Sequence, residues 1–166
     1  VTPELDPETA EAIKISNRKR GQQDDSAHGI IHRALTAIRL KDMEEAMQNM
    51  TQLFNHGFVR RTLQTSHFPY RGVFPDLTGA VPAFLVEMSV FSMPGIVEFL
   101  PTMPDYLMQG SIDGVWLYTM AKLEHMEWNE HGAKAVLTSG KAQTLTLRCR
   151  RKGARILVGG TELPMD

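Results

Sequence analysis

The sequence predicts an α+β protein, helical in its first part and built from short antiparallel strands in its last. Three observations carry that expectation. Apolar residues recur at three- and four-residue spacing between capping signals until about Ser92. From Ser111 onward, short runs of β-forming residues alternate with turn residues. The length, 166 residues with 42% hydrophobic and 22% charged side chains, suffices for one good core or two small ones.

Asp6-Pro7-Glu8 reads as an N-cap, a proline at the first helical position and an acid in the first turn. The helix it opens carries Ala10 and Ile13 toward Arg18-Lys19-Arg20, a basic end suited to the carbonyl terminus, with Gly21 as the stop. Asp24-Asp25-Ser26 caps a second helix over about Ala27–Leu40, with Ile31, Leu35 and Ile38 on one face. A third starts near Lys41-Asp42 and ends at Asn55-His56-Gly57. Met43, Met47, Met50 and Phe54, widened by Leu53, form its expected core stripe. So short a connection predicts an antiparallel helical hairpin.

Residues 57–79 are expected to be irregular, because Pro69, Gly72, Pro75 and Gly79 interrupt every period. A fourth helix over about Ala80–Ser92 is apolar nearly all round, which predicts burial within a larger set of helices. The grammar then changes. Strands are expected over Ser111–Met120, Lys122–Trp128, Ala133–Thr138, Gln143–Arg150 and Arg155–Val158, forming a small antiparallel sandwich or meander. The domain boundary is placed in Pro101–Gly110, giving residues 1–104 and 105–166.

Nineteen acidic against eighteen basic residues give a net charge of −1, which excludes a general polyanion binder. The basic run Lys141, Arg148, Arg150, Arg151, Lys152 and Arg155 has no interleaved aromatics and reads as a solvated face or as partner of Glu124 and Glu127. No nucleic-acid partner is expected. No apolar run reaches 18 residues, so no membrane span is expected either, and no signal peptide is legible. These features leave the localisation open. The chain begins at Val1 rather than Met, and is expected to be trimmed, processed or part of something longer. Cys149 is the single cysteine, so no internal disulfide exists.

Three kinds of side chain offer chemistry. His28 and His32 stand one helical turn apart, but without a third ligand they read as pocket or interface residues rather than a metal pair. No metal or cofactor is expected. Cys149 lies between Arg148 and Arg150, yet no His/Asp arrangement accompanies it. Asp76, immediately before the apolar helix, suits either capping or anion-handling catalysis, and Thr78 is an equally good cap.

Several stretches in order resemble the late part of glycoside hydrolase family 95, which includes α-L-fucosidases and some α-galactosidases. They are Leu5-Asp6-Pro7-Glu8, Asp24-Asp25-Ser26-Ala27-His28, Ile38-Arg39-Leu40-Lys41-Asp42 and above all Val81–Leu107. Gly110–Val115 resembles the family's Gly-x-Val-x-Gly-Leu segment, and Glu127-Trp128 with Gly132 its Glu-Trp-x-x-Gly turn. The resemblance implies the last helices of an (α/α)6 toroid followed by a C-terminal β-sandwich. It aligns Asp76 with the family's general base, in a motif where Phe74-Pro75 stands for Gln-(Ile/Leu) and Leu77-Thr78 for Gly-Asn. It further implies inverting hydrolysis of α-L-fucosides or α-galactosides, with His28, His32 and His67 as substrate-binding candidates. The acid partner belongs to an earlier part of such an enzyme, so no turnover is expected of this chain alone. The expected partner is an oligosaccharide or glycoside. The alternative is a non-catalytic module that packs on a partner or self-associates through the apolar helix.

Overall fold

The computed structural model describes residues 1–20, 27–59, 74–151 and 155–163. It is an α+β chain that divides into two compact units, Val1–Glu87 and Met88–Asp166. The division falls ahead of the expected 104/105 boundary, because two strands unforeseen in the sequence follow the last helix directly.

Local chemistry explains the helices of the first unit. Helix α1 spans Pro7–Lys19, and the Asp6 carboxylate accepts from the Thr9 amide at 3.0 Å, as expected of its N-cap. Helix α2 spans Ala27–Arg39 and buries Ile30, Ile31, Ala34, Ala37 and Ile38. Gly21, expected to stop the first helix, and Asp24-Asp25-Ser26, expected to cap the second, lie outside the described residues. Asp42 ends one helix and starts the next. Its amide donates to Ala37 O at 2.9 Å while the Lys41 amide donates to Ile38 O at 3.1 Å, with Lys41 at φ 59 in the left-handed position that closes such a terminus. The same residue's carboxylate caps α3, Met43–Asn55.

The Met stripe is corrected. Met43 and Phe54 are exposed, and α3 turns Glu45, Ala46, Asn49, Met50, Gln52 and Leu53 inward instead. The reason is polar. Glu45 accepts from buried Arg33 at 2.6 Å, and Asn49 donates to Glu45 Oε1 at 3.0 Å and to its carbonyl at 2.6 Å. This network rotates α3 away from the position that hydropathy alone selects. From α1, Asn17 adds a bond to the Arg33 carbonyl at 3.3 Å.

Helix α4 spans Pro75–Ser89, so it starts before the expected Ala80 and absorbs part of the expected loop. Pro75 at the first helical position needs no intrahelical N–H bond, and Asp76 supplies a first-turn acid. Pro82 lies inside α4 and cannot donate to the Thr78 carbonyl, yet the helix continues. Burial along α4 is one-sided rather than all round. Leu77, Ala80, Phe84 and Met88 are buried in a stripe, while Leu85 is 48% exposed.

The expected helical tail becomes β1, Val90–Met93, paired antiparallel with β2, Ile96–Phe99. Pro94-Gly95, with Gly95 at φ 80, makes the two-residue turn between them. Strands β3 (Gly110–Trp116), β4 (Ala121–Asn129) and β5 (Gly132–Ser139) form an antiparallel sheet in that order. Strand β6, Thr146–Cys149, does not join it. It pairs parallel with β2, matching Glu98 to Arg148 and Phe99 to Cys149, so the expected all-antiparallel arrangement is corrected to one antiparallel and one mixed sheet. Strands β7, Leu157–Val158, and β8, Thr161–Glu162, form a small ribbon.

Burial along β4 changes parity. Ala121 and Leu123 point inward, then Met126 and Trp128 do, because a bulge at Glu124 inserts one residue relative to β5. Gly110 lies under the Trp128 ring. A Cβ there would come within 2.3 Å of the indole, so the close approach requires glycine.

The pairing of β6 with β2 also redirects the basic run. Arg150 donates through Nε to Glu98, a buried carboxylate, at 2.5 Å, and not to Glu124 or Glu127. Burial lowers the Arg150 pKa from the usual guanidinium value. No helix among the described residues is long and apolar enough to cross a membrane.

Candidate functional site

Helices α2 and α4 are tied at both ends. His28 Nε2 lies 3.2 Å from Asp76 Oδ2 near their starts. Near their ends Arg39 grips Glu87 with two parallel bonds, Nε to Oε2 at 2.7 Å and Nη2 to Oε1 at 2.6 Å. Both links join residues separated by 48 positions, so the two helices run side by side, parallel and in register. The bidentate Arg39–Glu87 pair has the geometry that fixes orientation as well as distance. It sets the register that brings Asp76 beside His28.

Asp76 occupies the first turn of α4 with a side chain 67% exposed, facing solvent rather than capping backbone amides. Thr78 does not cap the helix from outside either. It is inside α4, with its hydroxyl donating to Phe74 O at 3.3 Å. Phe74 packs edge-on against the His28 ring, with centroids 5.8 Å apart and planes at 86°. The His28 ring is thus held from two directions, by an aromatic edge and by a carboxylate. With Nε2 protonated, His28 donates to one Asp76 oxygen and leaves the other free to accept from water.

His32, one turn further along α2, is exposed, and no contact joins it to Asp76. His67 lies outside the described residues. Among the described residues no group of three or more His, Cys, Asp or Glu is arranged to hold a metal ion. Cys149 is half-buried in β6 with a free thiol. A shallow hollow of about 360 Å³, lined by Met47, Gln48, Thr51, Gln52, Asn55 and His56, belongs to α3 and includes none of the expected site residues. The hollow is one open helix face, and its position does not coincide with the carboxylate chemistry.

The sequence singled out His28 and Asp76 separately. Their pairing follows from the α2–α4 register, and the signal for that register was the complementary couple Arg39 and Glu87 at the same separation. No protein-family description matches the chain, and no curated protein matches it.

Proposed function

We propose that this chain is the C-terminal part of an inverting glycoside hydrolase acting on α-L-fucosides or α-galactosides, with Asp76 as the water-activating base. The observation that carries the reading is the solvent-facing Asp76 carboxylate, anchored on one oxygen by His28 at 3.2 Å. An inverting base must accept a proton from a water it also orients. A carboxylate held at one oxygen and open at the other suits that task. The acid that protonates the leaving oxygen stands roughly 6.5–9.5 Å from the base in such enzymes. The proposal places it in helices that precede this sequence, so the chain alone is expected to release no product from an aryl α-L-fucoside.

Binding tests the reading without requiring turnover. Methyl α-L-fucoside or methyl α-D-galactoside, titrated into labelled protein, is expected to shift the Asp76 amide and the His28 ring resonances. Saturating glycoside that moves neither would overturn the assignment. Hydrolysis by this chain, abolished in Asp76→Asn, would overturn the placement of the acid elsewhere.

The second reading, a non-catalytic module, is favoured by the outer side of α4, where Pro82 and Leu85 are exposed and Val81 and Val86 half-buried. A concentration-dependent dimer that Leu85→Ser dissociates is the result that selects it.

A further inference from the structure

The connection between β3 and β4 presents large apolar side chains outward from a backbone that is firmly held. Trp116, Tyr118 and Met120 are 76%, 83% and 67% exposed, while Leu117 and Thr119 between them and Ala121 after them are buried. The Leu117 amide donates to Ala121 O at 2.9 Å and the Met120 amide to Leu117 O at 3.1 Å. The Tyr118 amide donates to Ser92 Oγ at 3.0 Å, tying the turn to β1. This is an ordered turn holding two aromatic rings in water two residues apart, and large apolar side chains exposed together in that way mark a contact site.

Polar groups adjoin the rings. Lys122 is the cross-strand partner of Trp116, and Thr138 is the partner of Lys122, so the three share one face of the sheet. Lys122 Nζ stands 6.0 Å from the centre of the indole ring and donates to Glu124 Oε2 at 2.5 Å. Glu124 Oε1 accepts from Thr138 Oγ1 at 2.7 Å. These two bonds, Lys122 first, hold the Glu124 carboxyl below its ordinary pKa, so it stays charged opposite the ammonium. Ordinary alternation along β4 puts Glu124 on the same face as Lys122, opposite buried Ala121 and Leu123.

The rim decides between occupants. A phosphate-rich or anionic surface needs uncompensated cations, and here the cation is neutralised by its neighbour. A purely apolar partner would leave Lys122, Glu124 and Thr138 desolvated without new bonds, at a cost. A neutral sugar meets both halves. Its C–H face lies on the electron-rich face of an aromatic ring, and its hydroxyls both donate and accept. We propose that Trp116 and Tyr118, with the Lys122–Glu124–Thr138 rim, form a binding site for a neutral saccharide. One pyranose ring stacks on Trp116, and its hydroxyls reach Lys122 and Glu124. The site draws only on residues of the strand unit and does not rest on the reading of Asp76 as a base.

Native electrophoresis through gels containing soluble galactan, soluble glucomannan, dextran sulfate or no polysaccharide provides the test. Retardation is expected in at least one neutral-polysaccharide gel, lost in Trp116→Ala, weakened in Tyr118→Ala and in Glu124→Gln, and unchanged in Glu11→Gln, a change at an exposed position of α1. Trp116 and Tyr118 are exposed, so both truncated variants are expected to melt as the parent does. Trp116→Phe, which keeps a ring, retains part of the retardation. No retardation in either neutral gel overturns the proposal, as does retardation by dextran sulfate alone or full retardation of Trp116→Ala. A sedimenting dimer that Trp116→Ala dissociates also overturns it, making a second copy the occupant.

Discussion

The helical unit and the strand unit fix their elements by different means. In Val1–Glu87, side chains tie helix to helix: Asn17 to the Arg33 carbonyl, Arg33 to Glu45, and Arg39 to Glu87. A helix spends its backbone bonds within itself, so its relation to a neighbour rests on packing and on such links. In Met88–Asp166 the backbone does that work through ladders. The ion pairs Lys122–Glu124 and His125–Asp113 decorate sheet faces that are already in register. A helical unit fails when a buried polar partner is lost, and a strand unit fails when the alternation of its faces is shifted.

The two units can be followed separately, because both tryptophans, Trp116 and Trp128, lie in the strand unit while the four helices of the described residues begin in the other. Deletion of Glu124 is expected to have the largest effect. Removing the extra residue turns Met126 and Trp128 toward the face where solvent stands, and no local adjustment restores both ends of β4. The emission of buried Trp128 is expected to shift toward that of exposed Trp116 at all temperatures, with the helical signal at 222 nm largely kept. Native-like emission from that variant would mean the bulge does not set the faces.

Glu45→Ala should do the reverse. It removes the carboxylate that Arg33 and Asn49 share inside the helical unit. Truncating one side of a buried ion pair costs about 3–5 kcal/mol. The helical signal is expected to melt at lower denaturant while the tryptophan transition stays in place. Coincident shifts of both transitions would show that the units unfold as one.

The smallest effect is electrostatic. His125 lies 2.6 Å from Asp113, and that hydrogen bond, with the nearby Glu127 charge adding to it, raises the His125 pKa above its ordinary value near 6.5. A raised folded-state pKa means that protonated His125 favours the fold. The contribution is full below the unfolded-state pKa and is lost as pH rises through the folded-state value. Asp113→Asn is expected to lower the His125 pKa in a proton NMR titration and to flatten the pH dependence of the strand unit's melting, leaving the helical unit unaffected. An unmoved His125 titration would remove Asp113 as the cause.

Much of the helical unit was legible because its signals are local. Asp6 and Asp42 declare helix starts by residue type, and the short Leu40–Asp42 connection declares the pairing of α2 with α3. The start of α4 differs from the expectation, because Pro75 and Gly79 read as breakers although a proline at the first helical position and a single glycine are both tolerated. Val90–Met93 is a strand rather than the expected helical tail, because a short apolar run fits a helix and a strand equally. The Pro94-Gly95 turn between two such runs was the available signal. Asp76 and His28 were legible as reactive residues, but their juxtaposition was not.

By itself the sequence determined the α+β class, the caps, most helix spans and the strands on either side of Asn129–Gly132, because capping, turn chemistry and hydrophobic period all act over a few residues. The tertiary structure decided the parallel union of β2 with β6, the face that α3 turns inward, the register of α2 on α4 that seats Asp76 beside His28, and the exposure of Trp116 and Tyr118. Those outcomes depend on partners up to 52 positions away, as Glu98 and Arg150 are, and on buried polar bonds whose gain is realised only when both partners arrive together.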